Sequence, residues 1–132
     1  MSLHRYFVNK IMPTVVQITA NPAPGNPSVK IVNITGELDE SNLPTLEGVV
    51  EPLIQDQNNR ILILNLNGLD FMSSKIIGYM ASVYNRLNAD GRQIALAGCN
   101  KTINDILAIV GLNQMIACYT GLDDALNQLP NT

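Results

Sequence analysis

Two periodicities alternate along this chain. Residues 14–19 (TVVQIT) and 29–35 (VKIVNIT) are rich in β-branched residues, and Val29 and Ile31 alternate in strand fashion with Val32 opposite. Between them lie Asn21, Pro22, Pro24, Gly25 and Pro27, a composition that predicts a surface loop. The two strands therefore read as an antiparallel hairpin with a long loop. The period then changes. Leu43, Leu46, Val49 or Val50, and Leu53 recur at helical spacing. Ser41 or Asn42 is placed to cap that helix, Pro44 suits its first turn, and Pro52 is expected to bend it or end its regular bonding. After a turn at Asn58-Asn59, residues 60–66 (RILILNL) form a continuous apolar run, the signature of a strand covered on both faces.

The next stretch, residues 69–80, reads LDFMSSKIIGYM and places Ser73 and Ser74 between an apolar run and a helical stripe of Ile77, Met80, Tyr84 and Leu87. A helix is predicted over about 74–88, ended by Ala89-Asp90-Gly91, with Gly91 free to become left-handed. Residues 93–97 (QIALA) are the next strand. Asn100 or Thr102 caps a helix carrying Ile103, Ile106, Leu107 and Val110, and Gly111 ends it. A short strand over 115–119 follows. Thr120-Gly121-Leu122-Asp123 is capping-box-like and opens a last helix reaching Leu129.

The resulting order, β-β-α-β-α-β-α-β-α, predicts a single α/β domain with a mixed, mostly parallel sheet, an antiparallel N-terminal hairpin and about four helices. The boundaries read as an extension over residues 1–13 and the domain over 14–132.

Composition narrows the function. Hydrophobic residues make up 46% of the 132 and charged residues only 14%, so the chain is globular with some bare surface, which favours partner binding. A net charge of -3 with 8 Lys plus Arg leaves no footprint for nucleic acid. Neither a long apolar segment near the start nor a bilayer-length run occurs, so a cytoplasmic protein is expected. Cys99 and Cys118 each end an apolar segment, form no C-x-x-C pair, and read as two buried thiols in a reducing compartment.

Enzyme chemistry finds little support. The single histidine, His4, lies in the N-terminal extension, which removes histidine-based catalysis and most metal sites. No Gly-rich phosphate loop is present. Asp123-Asp124 reads as a pair favouring a helix dipole, and Glu37 and Asp39 as turn or contact residues. Neither a cofactor nor a metal is expected. Ser73 and Ser74 carry two readings. A serine before a helix caps it, worth about 1 kcal/mol. A hydroxyl at a helix N-terminus is also a favourable place for an added anion.

Three segments in order resemble one family: Ile34-Thr35-Gly36-Glu37-Leu38-Asp39; the 61–66 strand leading through Gly68-Leu69-Asp70-Phe71-Met72 to Ser73-Ser74; and Ile94-Ala95-Leu96-Ala97-Gly98 with residues 107–112 (LAIVGL). Together they resemble the STAS domain of the anti-sigma factor antagonists. The resemblance implies a bacterial partner-switching protein that binds a serine-kinase anti-sigma factor, is phosphorylated by it at a helix N-terminus, and is reset by a phosphatase. The family's acceptor motif, Asp-Ser-Ser/Thr-Gly-Leu-Gly, aligns with Ser73-Ser74-Lys75-Ile76-Ile77-Gly78, which places Ser74 at the acceptor position. Ser73 stands where the acid is expected, Lys75 where a second hydroxyl is common, and Ile76 where glycine is common.

The contact face should surround this helix start: Asp39, Glu40, Ser41 and Asn42 at the end of a neighbouring parallel strand, then Ser73, Ser74, Lys75 and Ile76, then Asn100 and Lys101. Ile76 adds apolar contact if exposed or packs beneath the first turn. Asp39→Ala and Asn42→Ala are expected to weaken binding with stability held within about 1 kcal/mol. The alternatives are a STAS scaffold acting by constitutive binding or self-assembly, which the departures around Ser74 favour, and a small-ligand or nucleotide-binding module.

Overall fold

The structure, a computed structural model, describes residues 15–129. His4 and the extension over 1–13 lie outside them. Five strands, β1 (Val16–Ala23), β2 (Asn26–Leu38), β3 (Ile61–Met72), β4 (Gln93–Ala97) and β5 (Ala117–Tyr119), form one sheet in sequence order. β1 and β2 are antiparallel and every later pair is parallel. Helices α1 (Leu43–Gln55), α2 (Ser74–Ala89), α3 (Lys101–Val110) and α4 (Leu122–Gln128) complete the α/β domain, with a 3-10 turn at Leu112–Gln114.

Each face of the central strands carries its own apolar cluster, because successive strand residues point to opposite sides. Val32, Ile34, Leu62, Leu64 and Leu96 pack with the stripes of α1, α2 and α3. Val29, Ile31, Ile61, Ile63 and Ala97 pack with Ala125, Leu122 and Leu126 of α4. This two-sided cover explains the unbroken apolar run of β3.

Three features depart from the sequence-based expectation. The hairpin loop is short, since β1 continues through Pro22 and Ala23 and turns at Pro24–Gly25, where Gly25 takes φ 74°. β1 is an edge strand, where proline is tolerated because a donor can be lost without breaking a central ladder. Pro52 does not end α1, which continues to Gln55. Finally, Thr120 makes no capping box. Gly121 holds the cap position without a side-chain bond, and the Thr120 hydroxyl reaches Asp124 at 3.3 Å.

A carboxylate fastens α1 to α2. Glu51 accepts from both Arg86 guanidinium nitrogens, at 2.8 and 2.6 Å, and from the Tyr79 hydroxyl. The Arg86 hydrogen bonds hold its pKa down at about 2, against the opposing effect of burial, and Tyr79 lowers it further. A depressed carboxylate contributes stability above its unfolded pKa, and that contribution is lost as pH falls through the folded value. The bridge should therefore weaken between about pH 4.5 and pH 2. Because its side chains are 32% and 43% exposed, it is worth about 1 kcal/mol or less. Glu51→Gln should flatten this part of an acid-unfolding curve, and an unchanged acid limb would show that the bridge adds nothing.

Candidate functional site

Parallel strands bring their C-terminal ends to one edge, where loops collect. The register pairs Leu38 of β2 with Met72 of β3, and the Ser73 amide donates to the Leu38 carbonyl at 3.0 Å. The loop after β2 is therefore fixed beside the start of α2. Asn100, after β4, joins them: its Nδ2 donates to the Leu69 and Asp70 carbonyls at 3.2 and 3.4 Å. The same side chain caps α3, accepting from the Ile103 amide at 2.8 Å. Three segments far apart in sequence thus share one surface through hydrogen bonds.

The loop after β2 is built by two side chains. Asp39 Oδ1 accepts from the Ser41 amide and hydroxyl at 2.9 and 2.6 Å. Asn42 Oδ1 accepts from the Asp39 amide at 3.0 Å, while its Nδ2 donates to the Glu37 carbonyl at 2.8 Å. Asn42 holds the N-cap position of α1 without a cap bond and is buried. It is a brace inside the loop rather than a surface contact, because both ends of its amide are committed to backbone groups. Glu40 and Ser41 are exposed, and Asp39 is half-buried.

Ser73 and Ser74 divide their roles differently from the capping expectation. Ser73 has the extended backbone of an N-cap, φ -83° and ψ 168°, yet makes no side-chain cap bond. Its Oγ is buried without a hydrogen-bond partner. Ser74, the first residue of α2, is exposed, as is Lys75. Ile76 is 0% exposed and packs in the core, which removes it from the contact surface. Lys101 is exposed and pairs with Asp105 at 2.7 Å.

These placements change two expected mutational effects. Ser73→Ala should leave stability unchanged or slightly higher, because it deletes a buried hydroxyl that bonds to nothing. Asn42→Ala should cost about 1–3 kcal/mol, because it strips partners from the Glu37 carbonyl and Asp39 amide. Chemical denaturation of the two variants checks both, and equal losses would mean that the amide and the hydroxyl play equivalent parts.

The structure adds Phe71 to the surface. It is 38% exposed, two residues before Ser73, on a part of β3 that runs beyond its pairing with β4. The expected strand stopped at Leu66, so a ring exposed on its continuation was not visible. The cysteines also differ from expectation: Cys118 is exposed on the edge strand β5 and Cys99 is only partly buried. Among the described residues no group of ligating side chains could hold a metal ion, and no helix is long and apolar enough to cross a membrane.

A parallel sheet with an antiparallel hairpin at one edge, and an exposed serine opening the helix after its third strand, defines a small α/β domain. The STAS domain family matches residues 21–125, and the chain belongs to that family. It is 28% identical to the anti-sigma F factor antagonist of Paenibacillus polymyxa, over 76% of this chain and 86% of the relative. The crystal structure of an anti-sigma factor antagonist from Mycobacterium paratuberculosis superposes with a TM-score of 0.78 at 23% identity, covering 87% of this chain and 94% of that one. The phosphorylated form of the Bacillus cell-fate determinant SpoIIAA superposes with a TM-score of 0.69 at 17% identity, covering 86% and 100%.

Proposed function

We propose that this chain is a cytoplasmic anti-sigma factor antagonist that binds a serine-kinase anti-sigma factor, with Ser74 as the phosphate acceptor of a partner switch and a phosphatase to reset it. The observation that carries the reading is the exposure of Ser74 at the first turn of α2, beside the Asp39–Asn42 loop and Asn100. The similarity to an anti-sigma F factor antagonist supports the binding role. The existence of a phosphorylated SpoIIAA supports a covalent switch on this fold. Glu40, Ser41, Lys75, Asn100 and Lys101 offer polar contacts, and Phe71 offers apolar area at their margin.

The direct test is incubation with the cognate kinase and ATP, followed by peptide mass spectrometry. Phosphate on Ser74, and none in Ser74→Ala, is the expected result. If Ser74 stays unmodified while a conventional antagonist is phosphorylated in parallel, constitutive binding replaces the switch. Phe71→Ala tests the face itself. It should weaken binding about tenfold, the loss of roughly 1.4 kcal/mol from an aromatic contact, and leave stability within about 0.5 kcal/mol. Calorimetric titration reads the first and thermal melting the second. Unchanged affinity would place Phe71 outside the interface.

A further inference from the structure

β1 leaves one edge of the sheet open. Among the described residues no strand pairs with its outer side, and it is eight residues long, where about five or six are usual. Exposed edges are ordinarily blunted by charged side chains, yet β1, VQITANPA, carries none. The Glu37 amide donates to the Val15 carbonyl at 3.1 Å, which fixes the hydrogen-bonding parity of the strand. Backbone groups alternate along an antiparallel pair. Gln17, Thr19 and Asn21 therefore turn theirs to β2, and Val16, Ile18 and Ala20 turn theirs outward. Pro22 continues the outward series, so its missing N–H takes nothing from the β1–β2 ladder.

The two faces of this edge differ. Val16 and Ile18 are half-buried against the core under α1, whereas Gln17, Thr19 and Asn21 are exposed on the other face. Glu51 turns toward α2, where it meets Tyr79 and Arg86. At roughly 100° per residue, Val49 and Leu53 fall on the opposite flank of α1, toward β1, and they too are only half-buried. An uncharged apolar strip of Val16, Ile18, Val49 and Leu53 thus borders the outward backbone groups.

We propose that this edge binds a second copy of the chain, β1 against β1 and antiparallel, about a two-fold axis perpendicular to the sheet at Ile18. The strand is self-complementary in that register. Ile18 meets Ile18, Val16 meets Ala20 of the other copy, and each outward N–H finds an outward C=O. The axis puts both α1 helices on the same face, where the two apolar strips come together. Each chain has a net charge of -3, and an edge without charges lets two of them pair with no like charges facing each other. β2 separates β1 from β3, so Ser74 stays outside the interface.

Sedimentation of the full chain from about 5 to about 500 µM should show a reversible monomer–dimer equilibrium, as suits an interface of small area. Hydrogen exchange read by NMR tests the register: the Val16, Ile18 and Ala20 amides should slow about fivefold across that range, with no change at exposed amides of α4. Ala20→Pro should weaken dimerisation about tenfold or more and leave the melting of the dilute monomer unchanged, because the lost N–H serves only the second copy. Ile18→Lys should act in the same direction by setting like charges opposite each other. A chain that stays monomeric at the highest concentration would overturn the proposal. So would a dimer that Ala20→Pro leaves intact, or outward amides already protected in the dilute monomer, which would mean that the chain covers its own edge.

Discussion

Arg92→Met lowers the unfolding free energy by about 3 kcal/mol, the expected result of removing a buried cation that organises three carbonyls. Arg92 is 4% exposed. Its Nη1 donates to the carbonyls of Ile54 at 2.9 Å, Asn59 at 3.3 Å and Asp56 at 3.4 Å, and its Nε donates to Asp90 at 2.9 Å. The guanidinium thereby gathers the end of α1, the turn before β3 and the turn before β4. Methionine preserves much of the volume but supplies no donor, so the carbonyls lose partners and the cost is mainly polar. Arg92→Lys should recover only part of the loss, because one ammonium cannot reproduce the fork of the guanidinium. Arg92 lies at the N-terminal ends of the parallel strands, whereas Ser74 lies at the C-terminal ends. Binding per folded molecule should therefore remain unchanged. Urea unfolding checks the stability, and a loss below about 0.5 kcal/mol in both variants would show that the carbonyls find other donors.

Neither this clamp nor the detailed division of the site was legible in the sequence. The start of α2 was legible, because the stripe Ile77, Met80, Leu87 changes the period at the serines. So was β4, whose five residues carry one short apolar block. β3 appeared too short, because Asn67, Gly68 and Asp70 interrupt the apolar pattern after Leu66, yet its pairing with β2 carries it to Met72. Side-chain identity also misled where competing partners exist. Asn42 is a good cap residue by type, but the Glu37 carbonyl and Asp39 amide claim it. Asn100 met its capping expectation while also bonding to β3, a contact that follows only from the fold. Cys118 ends an apolar segment, but its strand is the last of the sheet and so is exposed. Local pattern therefore located the serines, and tertiary pairing decided which neighbours reach the surface with them.

Phosphorylation of Ser74 should weaken partner binding about a hundredfold, a loss of roughly 3 kcal/mol, while the fold keeps its stability. The phosphate adds about -1.5 to -2 charges to a side chain that is exposed in the free protein. α2 is sixteen residues long, has no acid in its first turn, and carries Lys75 next to Ser74. The positive end of its dipole therefore favours the new charge, which explains why the domain itself should tolerate it. In an interface the same group must shed water and lose solvent screening, which costs affinity wherever no cation meets it. Ser74→Asp carries less charge and fewer acceptor oxygens, so its loss should be smaller, about tenfold. Ser74→Ala should bind as the unmodified chain does. Calorimetric titration of the phosphorylated protein and both variants, with thermal melts of each, separates two mechanisms. A binding loss without a shift in melting places the switch at the interface. A melting drop large enough to account for the binding loss would instead mean that phosphate acts by unfolding the start of α2, and the interfacial reading would fail.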